Sequence, residues 1–536
     1  MHPPQQRKVR RYLLALVPAV VATCVLSACT AGRSASSAVS STLIVNTSFV
    51  YKTLDPGRAY EQTGYVAVHA LYDTLLTFDG GDVTTPKPDL AESFESAPDS
   101  RTFTFTLRAG VTFSDGAPLT AKDVVYSLSR LRNLKGSSAS FFTGLNATAP
   151  DDRTVVVTSE TPNPTVPVLL AMPAASIVNS AAVTANGGTD GADAASADKA
   201  QSFLDTASAG SGPYVLESNS PGEQIVLKAN DHYWGSKPGY SRVVIKNMDA
   251  QNQKLTLSRA GDPELALDVA GALLDGLPTT VAVSKQEDTS YFAYLNTDPA
   301  VSAVTSNPAF VKALRAALDY QGLAKLFGSA QGPARGLIAP AYPGALPAQD
   351  AMKQDLPLAR RLLADAGIGN PAVDFIYPAI TYRGVDLGTI ATKVQGDAAA
   401  AGITINLTPL PLSAFLEQYR GGKSAMGMTP QALSYPRAES MVRVMSPDGV
   451  NAKRLGWTSA KAPDSVRTAT ADFLAATSDD ARNAAAVRWQ HAMTADSPYL
   501  LLGANAGTVV STKAVTGADY TAAGWIVDLA AVRPAG

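Results

Sequence analysis

Leu26-Ser27-Ala28-Cys29 closes a short apolar run, and this string sets the conditions under which the rest of the chain has to fold. Arg7, Lys8, Arg10 and Arg11 make a basic start, and Tyr12 to Val25 follows as an apolar stretch that stops at small residues. That is the layout of an export signal. A membrane-crossing helix needs about 20 apolar residues, more than this run offers, so removal is favoured over spanning. Exported domains are often stapled by disulfides, yet the two cysteines are Cys24, inside the signal, and Cys29, at its end. The mature body is therefore expected to hold together by packing alone. With 536 residues in the whole sequence, 46% of them hydrophobic, the chain has the material for a core and the length for two to four domains.

The LSAC string resembles the lipobox of bacterial lipoproteins, in which the cysteine thiol is lipidated and the cysteine becomes the first residue. Residues 1–28 then read as signal peptide, Cys29 as the lipidation site and 29–41 as a flexible tether rich in Ser and Ala. The expected location is extracytoplasmic, held to the cell membrane through the lipid. Taking the four basic residues of the signal from the total of 44 leaves 40 against 46 acidic residues, a net charge of −6. This acidic balance, without basic clusters, argues against nucleic acid as a partner. His69, His232 and His491 have no cysteine beside them, so no zinc cluster of the usual spacing is expected. HExxH and GxSxG are absent, and Gly421-Gly422-Lys423-Ser424 lacks the first glycine of a phosphate loop, Glu417 standing there instead. It reads as a helix stopped by glycine. Neither a cofactor, a metal nor a catalytic set is expected.

Strand and helix patterns alternate throughout, which argues for mixed α/β domains. Thr42 to Phe49 is β-branched and apolar, hence a strand, and Gln62 to Leu76 has the spacing of an amphipathic helix. Arg101 to Leu107 alternates strictly, as a half-buried strand does. Thr120 and Asp123 form a capping box opening a helix through Arg130. Asn307 to Phe327, Gln354 to Asp365 and Gly384 to Ala401 read as helices, with strands at Val373 to Tyr377 and Ile403 to Leu407. Arg315 and Asp319, four apart on one helix face, are expected to pair. Ala181 to Ala200, rich in Ala, Gly and Asp, reads as a loop or insertion.

Six strings in order carry a resemblance: LYDTLLTFDG (Leu71 to Gly80), PDLAESFESAPDSRTFTFTLRAGVTFSDGAPLTAKDVVYSLSR (Pro88 to Arg130), GSGPYVL (Gly210 to Leu216), NDHYWG (Asn230 to Gly235), YFAYLNTD (Tyr291 to Asp298) and FVKALRAALDY (Phe310 to Tyr320). Together they resemble the family 5 extracellular solute-binding proteins, the oligopeptide, dipeptide and nickel receptors of bacterial ABC importers. The resemblance implies an α/β periplasmic-binding-protein type II fold, two lobes joined by hinge crossings, with an extra small α/β domain in the first lobe. By analogy 42–70, 206–296 and 501–536 build lobe I, 71–205 the added domain and 297–500 lobe II, with crossings near Gly212 and Asn296. It further implies a monomer that captures a peptide or peptide-like solute and meets permease subunits in the membrane, the ATPase being reached only through them. The same fold could instead take a glycan, an opine-like acid or a metal chelate, or serve sensing or adhesion without transport.

Oligopeptide-binding members carry an Asp-Tyr pair, commonly after a tryptophan three residues earlier, whose aspartate meets the peptide ammonium. At the matching place this chain reads Gln431-Ala432-Leu433-Ser434-Tyr435-Pro436-Arg437. Ser434 stands for the aspartate, Gln431 for the tryptophan, and Arg437 adds positive charge. The resemblance thus makes Gln431, Ser434, Tyr435 and Arg437 ligand-binding candidates and leads to an expected preference for a neutral or anionic contact over a free ammonium, unless another acid, such as Glu439 or Asp448, reaches the site. Phe49, Phe141 and Phe142 are candidate apolar walls, with the core as their other reading. For the anchor, Cys29→Ala is expected to move the protein from the membrane to the soluble fraction of an expressing bacterium and to abolish fatty-acid labelling. Equal membrane retention of both forms would refute it.

Overall fold

The computed structural model describes residues 41–259 and 261–535, so the expected export signal, Cys29 and all of the expected tether but Ser41 lie outside the described residues. Ten strands form one continuous sheet: β1 (Thr42–Thr47), β2 (Tyr214–Ser220), β3 (Gln224–Ala229), β4 (Arg242–Asn247), β5 (Glu264–Ala266), β6 (Val281–Leu295), β7 (Ala372–Pro378), β8 (Thr404–Leu410), β9 (Met426–Ala432) and β10 (Tyr499–Thr512). Their order is β8-β7-β9-β6-β10-β5-β1-β4-β3-β2. β1 runs parallel to β4 and β5, its two neighbours. At the other end β7 runs parallel to β8 and β9.

The two ends are joined by β6 and β10, of 15 and 14 residues, paired antiparallel from Val281↔Thr512 to Tyr294↔Tyr499. At one end β10 pairs with β5, at Leu265↔Ser511. At the other β6 pairs with β9, at Thr289↔Ala432 through Leu295↔Met426. The ladder slips between Glu287 and Thr289 and again between Tyr291 and Phe292. Such bulges bend a strand and raise its twist, so the sheet divides here into two lobes that share one strand pair. Gly212 is packed where a Cβ would come within 2.6 Å of the Leu71 and Tyr72 backbone, and Asn296 follows the end of β6, donating to the Gly422 carbonyl at 3.0 Å.

Between β1 and β2 the chain builds a four-stranded antiparallel sheet, ordered Ala91–Ser96, Thr102–Leu107, Thr154–Ser159, Leu145–Thr148. Phe103, Phe105 and Leu107 are buried as the alternation predicts. The helix on this sheet, Ala121–Leu134, carries the expected capping box, with the Thr120 N–H donating to Asp123 at 2.9 Å. The Gln62 helix ends at Leu71, sooner than expected. Residues 181–200 hold parts of two short helices, Ser180–Ala185 and Ala194–Ala197, rather than loop alone. The helix expected over Asn307 to Phe327 breaks at Leu318 into Pro308–Ala317 and Tyr320–Phe327, because Asp319 turns to cap the second, accepting from Gly322 N at 2.9 Å. The break also undoes the expected Arg315–Asp319 pair. Arg315 donates instead to the carbonyls of Ala495 and Ser497, both at 2.7 Å, and Asp319 pairs with Lys393 at 2.8 Å.

Arg130, 2% exposed, fastens the added domain to the segment after β1. Its guanidinium makes a two-pronged contact with Asp55, at 2.8 and 2.7 Å, and another with Asp198, at 2.8 and 2.9 Å. Burial by itself would raise the Asp198 pKa, but the guanidinium holds that carboxyl below its ordinary value. Its contribution is therefore present above the ordinary carboxylate range, about pH 4, and is lost as pH falls through the depressed value. Arg130→Met leaves Asp55 and Asp198 with only the less buried Arg58, at 3.3 and 3.1 Å, as counter-charge, and is expected to cost about 3–5 kcal/mol in denaturant unfolding at neutral pH. A loss under 1 kcal/mol would show that water reaches the site.

Candidate functional site

Because β1 lies between two parallel neighbours, the connections leaving its carboxyl end diverge and open a crevice there, the usual ligand position of open α/β sheets. Thr47, Ser48 and Val50 line it, with the first residues of α1 (Gln62–Leu71) and α2 (Ala250–Leu257) beside them. Facing them from lobe II is the small hairpin Thr381–Tyr382/Val385–Asp386. Gly507 and Thr508 of β10, with Tyr520, complete the wall. The enclosed cleft measures about 500 Å³, ample for a small solute.

The hairpin is held to the shared strands by a buried charge network. Arg383 donates to Asp288, at the β6 bulge, and to Thr289 Oγ1 at 2.9 Å, while the Tyr520 hydroxyl donates to the other Asp288 oxygen. Burial works against the Arg383 charge, but Asp288 more than offsets it and keeps the guanidinium ionised. Burial also pushes the Tyr520 phenol well up, so it stays a donor. Asn505 of β10 donates to the Arg383 carbonyl at 3.0 Å. Arg383 and Gly384 turn with φ of +48° and +74°, and a Cβ on Gly384 would sit 2.1 Å from the Ala270 carbonyl oxygen. The lobes thus touch backbone to backbone at a place where only glycine fits.

The residues expected from sequence are not among those that line this cleft. Gln431 ends β9 and donates to the Ala432 carbonyl. The Ser434 hydroxyl is 3.2 Å from that of Tyr60 in lobe I, and the Tyr435 ring meets Phe141 edge-on at 5.2 Å. Arg437, expected to add charge beside a ligand, is buried and donates to the carbonyls of Val83 at 3.0 Å, Thr84 at 2.8 Å and Pro436 at 2.8 Å. Its position joins lobe II to the added domain. Glu439 is tied to Arg482, Arg443 and Thr165, and Asp448 accepts from Ser459, so the two acids considered from sequence are engaged elsewhere. Phe142 is 2% exposed and belongs to the core, whereas Phe141 is half-buried. Phe49 is half-buried against Tyr51, its N–H on Asn247. Sequence reasoning missed Asp268, Tyr382, Arg383 and Tyr520. None of the four carried a signal: Gly384 reads in sequence as the start of a helix, whereas the helix spans Leu387–Ala400 and Gly384 sits in the hairpin turn before it.

Among the described residues no helix is long and apolar enough to cross a membrane, and no group of three or more His, Cys, Asp or Glu is placed to hold a metal. The fold is that of the type II periplasmic binding proteins. The ABC transporter substrate binding protein CtaP of Listeria monocytogenes superposes with a TM-score of 0.79 at 17% identity, covering 92% of this chain and 99% of that one. The PBP AgaA in complex with agropinic acid, from A. tumefacien R10, does so at 0.71 and 21%, covering 92% and 99%. In sequence the chain is 33% identical over 284 residues to the probable D,D-dipeptide-binding periplasmic protein DdpA of Escherichia coli K12, covering 51% of this chain and 52% of that protein. The chain thus spans about half the length of that relative. Residues 85–452 match the family model of the bacterial extracellular solute-binding proteins, family 5 (middle region), and the chain belongs to that family.

Proposed function

We propose that the protein is the extracytoplasmic receptor of an ATP-driven importer, taking a peptide or peptide-like solute into the cleft between its lobes and presenting the closed form to a membrane permease. In this reading the acyl groups on Cys29 keep it at the membrane surface, and two or more chains are needed for stable anchoring. The observation that carries the reading is the position of the cleft, where both lobes and the strand pair joining them meet. A solute held there contacts both lobes only when they are together, so it favours the closed arrangement by its differential affinity. Ser434 and Gln431, with Phe49 and Phe141, are proposed to meet the ends of a longer solute. The D,D-dipeptide-binding relative supports a peptide. A non-peptide solute is the second reading, supported by the likeness to the agropinic acid complex.

A solute that binds at a hundredfold excess over its Kd should stabilise the fold by about 2.7 kcal/mol, reduce the radius of gyration in solution scattering, and be recovered unchanged. Chemical conversion of the recovered solute would refute a purely binding role. Gly384→Ala forces the Ala270 carbonyl away from the hairpin, an overpacking worth about 1–3 kcal/mol. Solute binding by calorimetry should then weaken roughly ten- to hundredfold, with the unliganded radius equal or larger. Unaltered affinity would mean that the solute does not bridge the lobes.

A further inference from the structure

The charged groups facing the cleft are unevenly matched. Arg383 is balanced by Asp288. Asp249 is engaged in capping α2, accepting from Gln251 N and Asn252 N at 3.1 Å each and from the Asn252 side chain at 2.6 Å. Asp268, just beyond β5, differs from both. One carboxylate oxygen accepts from the Ser48 N–H at 2.6 Å and from the Gln253 side chain at 2.8 Å, and the Asp268 N–H donates back to Gln253 Oε1 at 3.1 Å. Gln253 is itself fully buried, so the carboxylate is clamped in one orientation. Both donors are neutral. Among the described residues no Lys, Arg or His pairs with Asp268, and its second oxygen accepts from no protein group.

We propose that Asp268 sets the charge preference of the cleft, receiving a positively charged nitrogen of the solute, an ammonium, on its second oxygen. The proposal rests on the reading of the cleft as the solute site and names the class of solute. Bringing the lobes together over an unpaired carboxylate withdraws that charge from water, which is unfavourable unless a counter-charge arrives with the solute. A cation bound there supplies it, and a charge-assisted hydrogen bond is stronger than a neutral one. The clamp by Ser48 and Gln253 means that the carboxylate is already oriented before the solute arrives, so little ordering cost falls on binding. The preference expected from Ser434 and Arg437 is thereby reversed: the acid missing from lobe II is met by one on lobe I, and the added guanidinium is engaged with backbone carbonyls.

The test uses the full chain and two equimolar tripeptide mixtures lacking Lys, Arg and His, one with free amino ends and one N-acetylated, with retained peptides counted by native mass spectrometry. Asp268→Asn keeps an acceptor for Ser48 and Gln253 and removes the charge. The wild type should retain the free-amino mixture at least tenfold over the acetylated one, and Asp268→Asn should bring the ratio close to one. Equal retention of both mixtures by the wild type, or an unchanged ratio in a folded Asp268→Asn, overturns the role of Asp268 while solute binding stands. Retention of neither mixture by the wild type overturns the role of Asp268 and the peptide reading together. The wild-type ratio decides by itself should the variant fail to fold.

Discussion

The antiparallel pairing of β6 with β10 is the constraint on which the rest of the molecule depends. Both strands run through both lobes, so each lobe borrows its edge from the same ladder. A sheet pair resists stretching and shear because its hydrogen bonds act in parallel, but it bends where the ladder is interrupted. The interruptions fall between Glu287 and Thr289 and between Tyr291 and Phe292, and Asp288 sits within the first. Arg383 and Tyr520 converge on that residue from lobe II and from the C-terminal segment. The bend, the charge that stiffens it and the wall of the cleft are therefore one piece of structure.

Around this frame buried charge is arranged in closed groups. Arg130 with Asp55 and Asp198, Glu439 with Arg482 and Arg443, and Arg383 with Asp288 each match opposite charges away from water. Matching is what makes burial tolerable, since an isolated buried ion would be neutralised or expelled. Several of these groups also connect parts of the fold distant in sequence. Thr165 of the added domain donates to Glu439, Ser100 donates to the Thr477 carbonyl at 2.8 Å, and Arg437 reaches Val83 and Thr84. The added domain is thus attached to the segment after β1 through Arg130 and braced against lobe II by these contacts. Other acids, among them Glu287 and Asp73, are held by neutral donors away from the cleft; Asp268 is held in the same way in the cleft wall.

Local features were legible in the sequence wherever the determining interactions are short in range. The strict alternation of Phe103, Phe105 and Leu107, the Thr120–Asp123 capping box and the helix that ends at Gly421 follow from neighbours within a few residues. Leu318 was misread because the apolar periodicity continues through it on both sides. The break comes from Asp319 finding Gly322 N and Lys393, the second 74 positions away. Arg315, which looked like half of a surface pair, is drawn inward by three carbonyls near the start of β10. The candidate site was the least legible part. Position along a matching string suggested that Arg437 would face a ligand, yet two of the three carbonyls that hold it belong to Val83 and Thr84, 354 and 353 positions earlier.

By itself the sequence determined the absence of cysteine beyond Cys29, the α/β alternation and the family, because each is written in composition, in short-range spacing or in ordered strings. Tertiary structure alone decided where the lobes join and which charges face the cleft. The walls of that cleft come from residues near 48, 268, 383, 508 and 520. They meet only because β1, β5, β6 and β10 lie close together in one sheet, and no periodicity along the chain encodes which strand becomes whose neighbour. Asp268 is one acidic residue among 46. Its role comes from Ser48 and Gln253, which hold it in place with neutral donors, and from the cleft wall in which the fold sets it.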